Sequence, residues 1–144
     1  MVAIHLVVGV SVIVLNLAAF GLGGVAWFRH QSSVPFWYLL RAAQVAVFAQ
    51  ALLGGLLVFT GHEANDDLHY LYGALPLVVS FLAEGARTGA AQRELGDVDF
   101  EALPAASQQS LALAIVRREM GIMAVSCGVI LFLALRAAGT STLF

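Results

Sequence analysis

Lysine is missing from this chain, and its seven basic residues are all arginine. Charge of either sign is scarce, at 11% of residues with a net charge of -2. With no basic stripe to neutralise phosphates, nucleic acid is excluded as a partner. The single cysteine, Cys127, excludes an intramolecular disulfide. Also lacking is the polar surface that a soluble domain shows to water. Hydrophobic residues make up 60% of the chain, above the share in ordinary globular domains, and lipid is the solvent that fits it. The 144 residues leave room for one domain. The first apolar stretch lacks a positive flank after Met1 and a small-residue cleavage motif near Trp27, so it reads as a retained helix, not a signal peptide.

Crossing the hydrocarbon takes about 20 predominantly apolar residues, and four stretches qualify: 3–27, 36–60, 68–86 and 111–135. The expected fold is all-α, an integral membrane four-helix up-down bundle with helices one and three on a diagonal. Residues 30–35 form the first link. Residues 61–67 form the second, with Asp66 or Asp67 as N-cap of the third helix. The polar segment 87–110 is expected to be a long cytoplasmic loop. Arg29, Arg41, Arg87, Arg93, Arg117 and Arg118 flank one side and only Arg136 the other. The positive-inside rule therefore puts both termini outside a cytoplasmic (inner) membrane crossed several times. Trp27, Trp37 and Tyr38 form an inner aromatic belt, and Tyr70 and Tyr72 an outer one.

An internal echo lies within this pattern. His5, Gly9, Val12 and Asn16 on the first helix match His69, Gly73, Pro76 and Ser80 on the third, 64 residues on. Steps of four, three and four keep each set on one helical stripe. Both helices run outside to inside, as in a two-helix parallel repeat about an axis along the membrane normal. Ionisable residues inside spans are costly and mark functional sites. Two histidines at matching depth on diagonal helices could supply both axial nitrogens of one haem iron, here haem b. Gly9 and Gly73, one turn below, would leave space for the macrocycle, Gly54 would thin the wall on helix two, and Arg136 would meet the propionates.

The run Gln50-Ala51-Leu52-Leu53-Gly54-Gly55-Leu56-Leu57-Val58-Phe59-Thr60-Gly61, followed by Leu68-His69, resembles the haem A synthase family. There a helix ending in Leu-Gly-Gly-x-x-Val-x-Thr-Gly leads to a helix opening with a haem-ligand His. The family's preceding helix opens with Glu-x-x-x-His, and His5 stands in that place, with Met1 where the family has Glu. The resemblance covers three helices of one family half and implies that His5 and His69 are axial ligands on the outer side.

The function read from these residues is a b-type haem membrane protein that transfers electrons or senses haem, with the bilayer, a quinone or another redox protein as partner. Two alternatives stand beside it. One is a non-catalytic accessory subunit of a larger homo- or hetero-oligomeric complex, its histidines merely interfacial. The other is a Zn- or Cu-dependent membrane enzyme in which His62, Glu63 and Asp67 join the histidines, since imidazole and carboxylate suit these ions. Elsewhere, Asn16, Gln50, Ser80 and Ser126 read as a central layer of hydrogen bonds between helices. Glu84 is expected to pair with an arginine, Arg118 before Arg41. Gly21, Gly23 and Gly24 are expected to let helices approach, Cys127 to fill apolar space, and His30 to be solvated.

Overall fold

The computed structural model describes residues 1–62, 64 and 66–140. Four helices follow one another: α1 (Val2–Phe28), α2 (Val34–Phe59), α3 (Asp67–Leu95) and α4 (Ala105–Gly139). No strand occurs among the described residues. Their order around the bundle is α1, α2, α3, α4, and α4 packs closely on both α3 and α1. The α2–α3 seam is sparse by comparison, and α1 and α3 face each other diagonally, as expected.

The starts of the helices are set by local chemistry. Ser33 Oγ accepts from Phe36 N at the head of α2, with Pro35 in the first turn. Asp66 accepts from Leu68 N and caps α3, fulfilling the expectation for that link. The expected loop 87–110 is shorter in the structure. α3 runs on to Leu95 and α4 starts at Ala105, because Ala90, Ala91, Gln92, Arg93 and Glu94 favour helix until Gly96 takes a positive φ of 52°. Gln108 ties the remaining link by donating to the carbonyls of Phe100 and Leu103.

Burial marks this chain as an integral membrane protein. On α1 the buried positions are Val12, Asn16, Ala19, Gly23 and Ala26, a single seam with steps of four and three. The remaining faces of α1 carry exposed Val7, Val14 and Leu17, an apolar surface suited to lipid. α1, α2 and α4 are long and apolar enough to cross a membrane. The sequence reading expected a fourth span at 68–86. α3 has the length but is not among the apolar three, because His69, Tyr70, Tyr72, Pro76 and Glu84 dilute it with polar and breaker residues.

The core divides along the bundle axis. Towards the arginine end, Ala19, Ala26, Phe36, Leu40, Ala83, Met120, Met123, Ala124 and Cys127 form one buried cluster; Cys127 is the apolar filler expected. Towards the histidine end, only Val12, Val47 and Ile130 form a second. Of the three glycines expected to bring helices together, only Gly23 does so: a Cβ there would fall 2.5 Å from the Phe36 ring. Gly21 and Gly24 have nothing within 4 Å of that position. Two further close approaches are on α4, where Gly121 receives Trp27 and Gly128 receives Phe20. Both pairs are spaced by seven residues, so two aromatic knobs of α1 sit over two glycine holes of α4.

Candidate functional site: a histidine-walled cavity

Above the smaller cluster the four helices separate around a cavity of about 520 Å³. That volume lies in the range of small-molecule and cofactor sites. The helix echo puts both histidines on its wall. His5 comes from the first turns of α1 and His69 from the start of α3, with ring centroids 6.3 Å apart and planes inclined at 60°. Gly9, Gly54 and Gly73 line the same cavity.

The two imidazoles are held differently. His69 Nδ1 lies 3.0 Å from the carbonyl oxygen of Ala137 on α4. A carbonyl only accepts, so Nδ1 carries a proton, and Nε2 is the nitrogen left to bear the lone pair of the neutral ring. Backbone carbonyls orient metal-ligating histidines in this way. His5 Nε2 is instead 3.1 Å from Nε2 of Gln50. His5 Nδ1 and Gln50 Oε1 are buried with no hydrogen-bond partner among the described residues. Leaving such an atom unpaired costs about 1–3 kcal/mol, and folded proteins carry few of them. Both belong to residues of the cavity wall, and both are shut off from solvent.

The glycines divide the work in an unexpected way. Beside Gly9 the space is filled by the Gln50 carboxamide, 3.0 Å from where a Cβ would stand. Beside Gly54 lies His5 Cε1, at 3.3 Å. Gly9 and Gly54 thus admit the Gln50–His5 pair, whereas Gly73 and Gly55 have nothing within 4 Å and border open space. Arg136 lies at the same end, its guanidinium 5.6 Å from the ring centre of Tyr72, a cation–π contact to a cavity-lining side chain.

Gln50 is the site residue that the sequence reading misassigned. The expected polar layer between helices does not form: Asn16 donates to Val12 O, Ser80 to Pro76 O and Ser126 to Met123 O, each within its own helix. Gln50 alone of that set reaches across. Its stripe on α2 (Gln50, Gly54, Leu57) carried the signal, since the same face bears the glycine next to His5. The Ala137 carbonyl had no sequence signal, because any residue supplies one.

For the alternative metal site, His62 lines the cavity and its Nδ1 is 3.3 Å from Thr60 Oγ1. Asp67 is exposed at the start of α3, and Glu63 lies outside the described residues. Among the described residues no three His, Cys, Asp or Glu side chains gather to hold a metal ion.

At the opposite end, Glu84 is the centre of a network. It accepts from Arg41 at 2.6 Å, from Gln44 at 2.8 Å and from Arg87, whose Nη2 is at 2.8 Å. Arg87 reaches on to Glu119 at 3.4 Å and lies 5.7 Å from the Trp37 ring centre. Arg118, the partner expected for Glu84, pairs with Glu94 instead. The continuation of α3 past residue 86 explains the exchange, since it places Glu94 opposite Arg118.

No family model, curated protein or solved structure matches this chain, so the likeness to haem A synthases rests on the residues quoted for it.

Proposed function

We propose that this membrane protein is a b-type haem protein in which His5 and His69 are the two axial ligands. The observation that carries the reading is that two imidazoles from α1 and α3 line one cavity side by side. With ring centroids 6.3 Å apart, His5 and His69 would be the two residues to hold a haem iron. Haem also answers the donor count. Its iron takes four nitrogens from the macrocycle and needs only two from protein, whereas a protein-only metal centre needs three or more. When bound, it would supply one-electron chemistry, in electron transfer or in haem sensing, with a quinone or a redox protein as exchange partner.

The chain's own residues have distinct tasks in this reading. The Ala137 carbonyl fixes the His69 tautomer so that Nε2 can ligate. Gln50 holds His5 Nε2 and would have to turn its long, flexible side chain aside for that nitrogen to reach a haem iron. Gly73 and Gly55 keep the walls clear, and Arg136 is the cation for the propionates. The cavity end faces outward across a cytoplasmic membrane, with both termini outside, because the arginines cluster at the other end.

Purification with ample haem supply, followed by absorption and metal analysis, tests this. A Soret band with one haem per chain is expected. A colourless protein with stoichiometric Zn or Cu would replace haem by the metal-enzyme reading, and neither chromophore nor metal would favour an accessory subunit. For the orientation, Ser107→Cys should react with an impermeant thiol reagent only after cell lysis. Labelling in intact cells would reverse it.

A further inference from the structure

A second concavity, of about 280 Å³, lies at the arginine end, between the α1–α2 turn and α4. Ser110, Leu113, Ala114 and Arg117 form its α4 wall, an i, i+3, i+4, i+7 stripe. His30, Gln31 and Ser32 form the other. We propose that this groove binds the phosphate of an anionic membrane phospholipid, with Arg117 as the charged donor.

Three observations carry the assignment, none of which depends on haem. The first is charge. Arg41, Arg87 and Arg118 of this end are each paired with a carboxylate. Arg117, like Arg29 and Arg93, has no ion pair with a carboxylate among the described residues, but of these three Arg117 lines the groove, and no acidic side chain does. A planar guanidinium left without an acid, in a recess that also holds the Gln31 carboxamide and the Ser32 hydroxyl, suits a phosphate's several oxygens.

The second is backbone conformation. α1 ends in a Schellman arrangement, with Gln31 N donating to Ala26 O and His30 N to Trp27 O. His30 occupies the left-handed position, φ 59°, where glycine is the usual choice. Its Nδ1 is 3.0 Å from the Phe28 carbonyl, which holds the ring at the groove. Histidine is among the few non-glycine residues found often in this region, and the turn places His30 on the wall of the recess with Arg117.

The third is place. Leu113 and Val116 give the groove an apolar side. Exposed Trp27, Phe28 and Tyr38 lie at the same end, where aromatic residues mark the membrane–water boundary. A ligand with a phosphate head and acyl chains matches that boundary, so the source is a bilayer lipid rather than a soluble anion.

The test is thermal unfolding of the full chain in neutral detergent, titrated with dioctanoyl phosphatidylglycerol, dioctanoyl phosphatidylcholine or inorganic phosphate. Phosphatidylglycerol should raise the midpoint saturably, and the other two should not. Arg117→Gln should weaken that effect at least about tenfold, as loss of a charged hydrogen bond does. Arg118→Gln, which removes an arginine already paired, should leave it unchanged. His30→Gly should raise the lipid-free midpoint by relieving the left-handed residue and still lower the lipid affinity, a combination that a merely structural role does not give. Equal stabilisation by both lipids, or an unaltered response in Arg117→Gln, would overturn the proposal. Millimolar phosphate matching phosphatidylglycerol would overturn the lipid assignment in favour of a soluble oxyanion.

Discussion

The two ends of this bundle are built on opposite plans. At the arginine end Phe36, Leu40, Met120 and Met123 are almost wholly buried, glycines admit aromatic rings, and Glu84 is held by two arginines and a glutamine from α2 and α3. At the histidine end the buried apolar residues reduce to Val12, Val47 and Ile130, the α2–α3 seam is thin, and the polar atoms of His5 and Gln50 are left incompletely bonded. A close-packed end can be traded for stability and an unsatisfied, open one for ligand binding, since sites that must accept a group cannot be optimised for packing without it. On the proposed reading, the haem site belongs to the open end, and the close-packed end contributes most of the stability.

Substitutions can break that contrast. The largest effect should come from Phe36→Ala, which empties a fully buried position and should cost about 3–5 kcal/mol, read as a fall in the unfolding midpoint in detergent. Gly23→Ala should follow at about 1–3 kcal/mol, because its Cβ would meet the Phe36 ring at 2.5 Å. Glu84→Gln should cost about 1–2 kcal/mol, between exposed and buried ion pairs, because Glu84 is only partly exposed and its loss leaves Arg41 and Arg87 facing each other. An unchanged midpoint would mean that the network contributes nothing. The smallest effect has the opposite sign. Gly55→Ala, made where nothing lies within 4 Å, should gain about 0.4–1 kcal/mol from reduced unfolded-state freedom. If Gly23→Ala and Gly55→Ala behave alike, the contrast between the ends is wrong.

What the sequence made legible follows from which signals are local. Helix number, the first link, the Asp66 cap and the pairing of His5 with His69 were all readable, because apolar length, cap chemistry and a 64-residue echo are properties of the chain itself. The ends of α3 and α4 were not, since charged helix formers such as Arg93 and Glu94 read as loop when only hydropathy is followed. Reading residues 87–95 as loop also removes Glu94 from the helix face that meets Arg118, which leaves Glu84 as the nearest expected acid. Gln50 was assigned to a generic polar layer because its meaning depends on which helix face meets His5, and only the packing of α1 against α2 fixes that. His30 was read as solvated, and it is exposed; its left-handed backbone and its place beside Arg117 are three-dimensional facts.

The most direct check on the proposed haem site is the absorption spectrum, and the spin state it reports, of four proteins made with ample haem: the wild type, His5→Ala, His69→Ala and His62→Ala. Two axial imidazoles give six-coordinate, low-spin iron, and removal of either leaves an open position. The wild type should therefore show a low-spin spectrum, each single variant should turn high-spin or lose haem, and His62→Ala should keep the wild-type bands. A low-spin spectrum that survives both His5→Ala and His69→Ala would contradict the assignment.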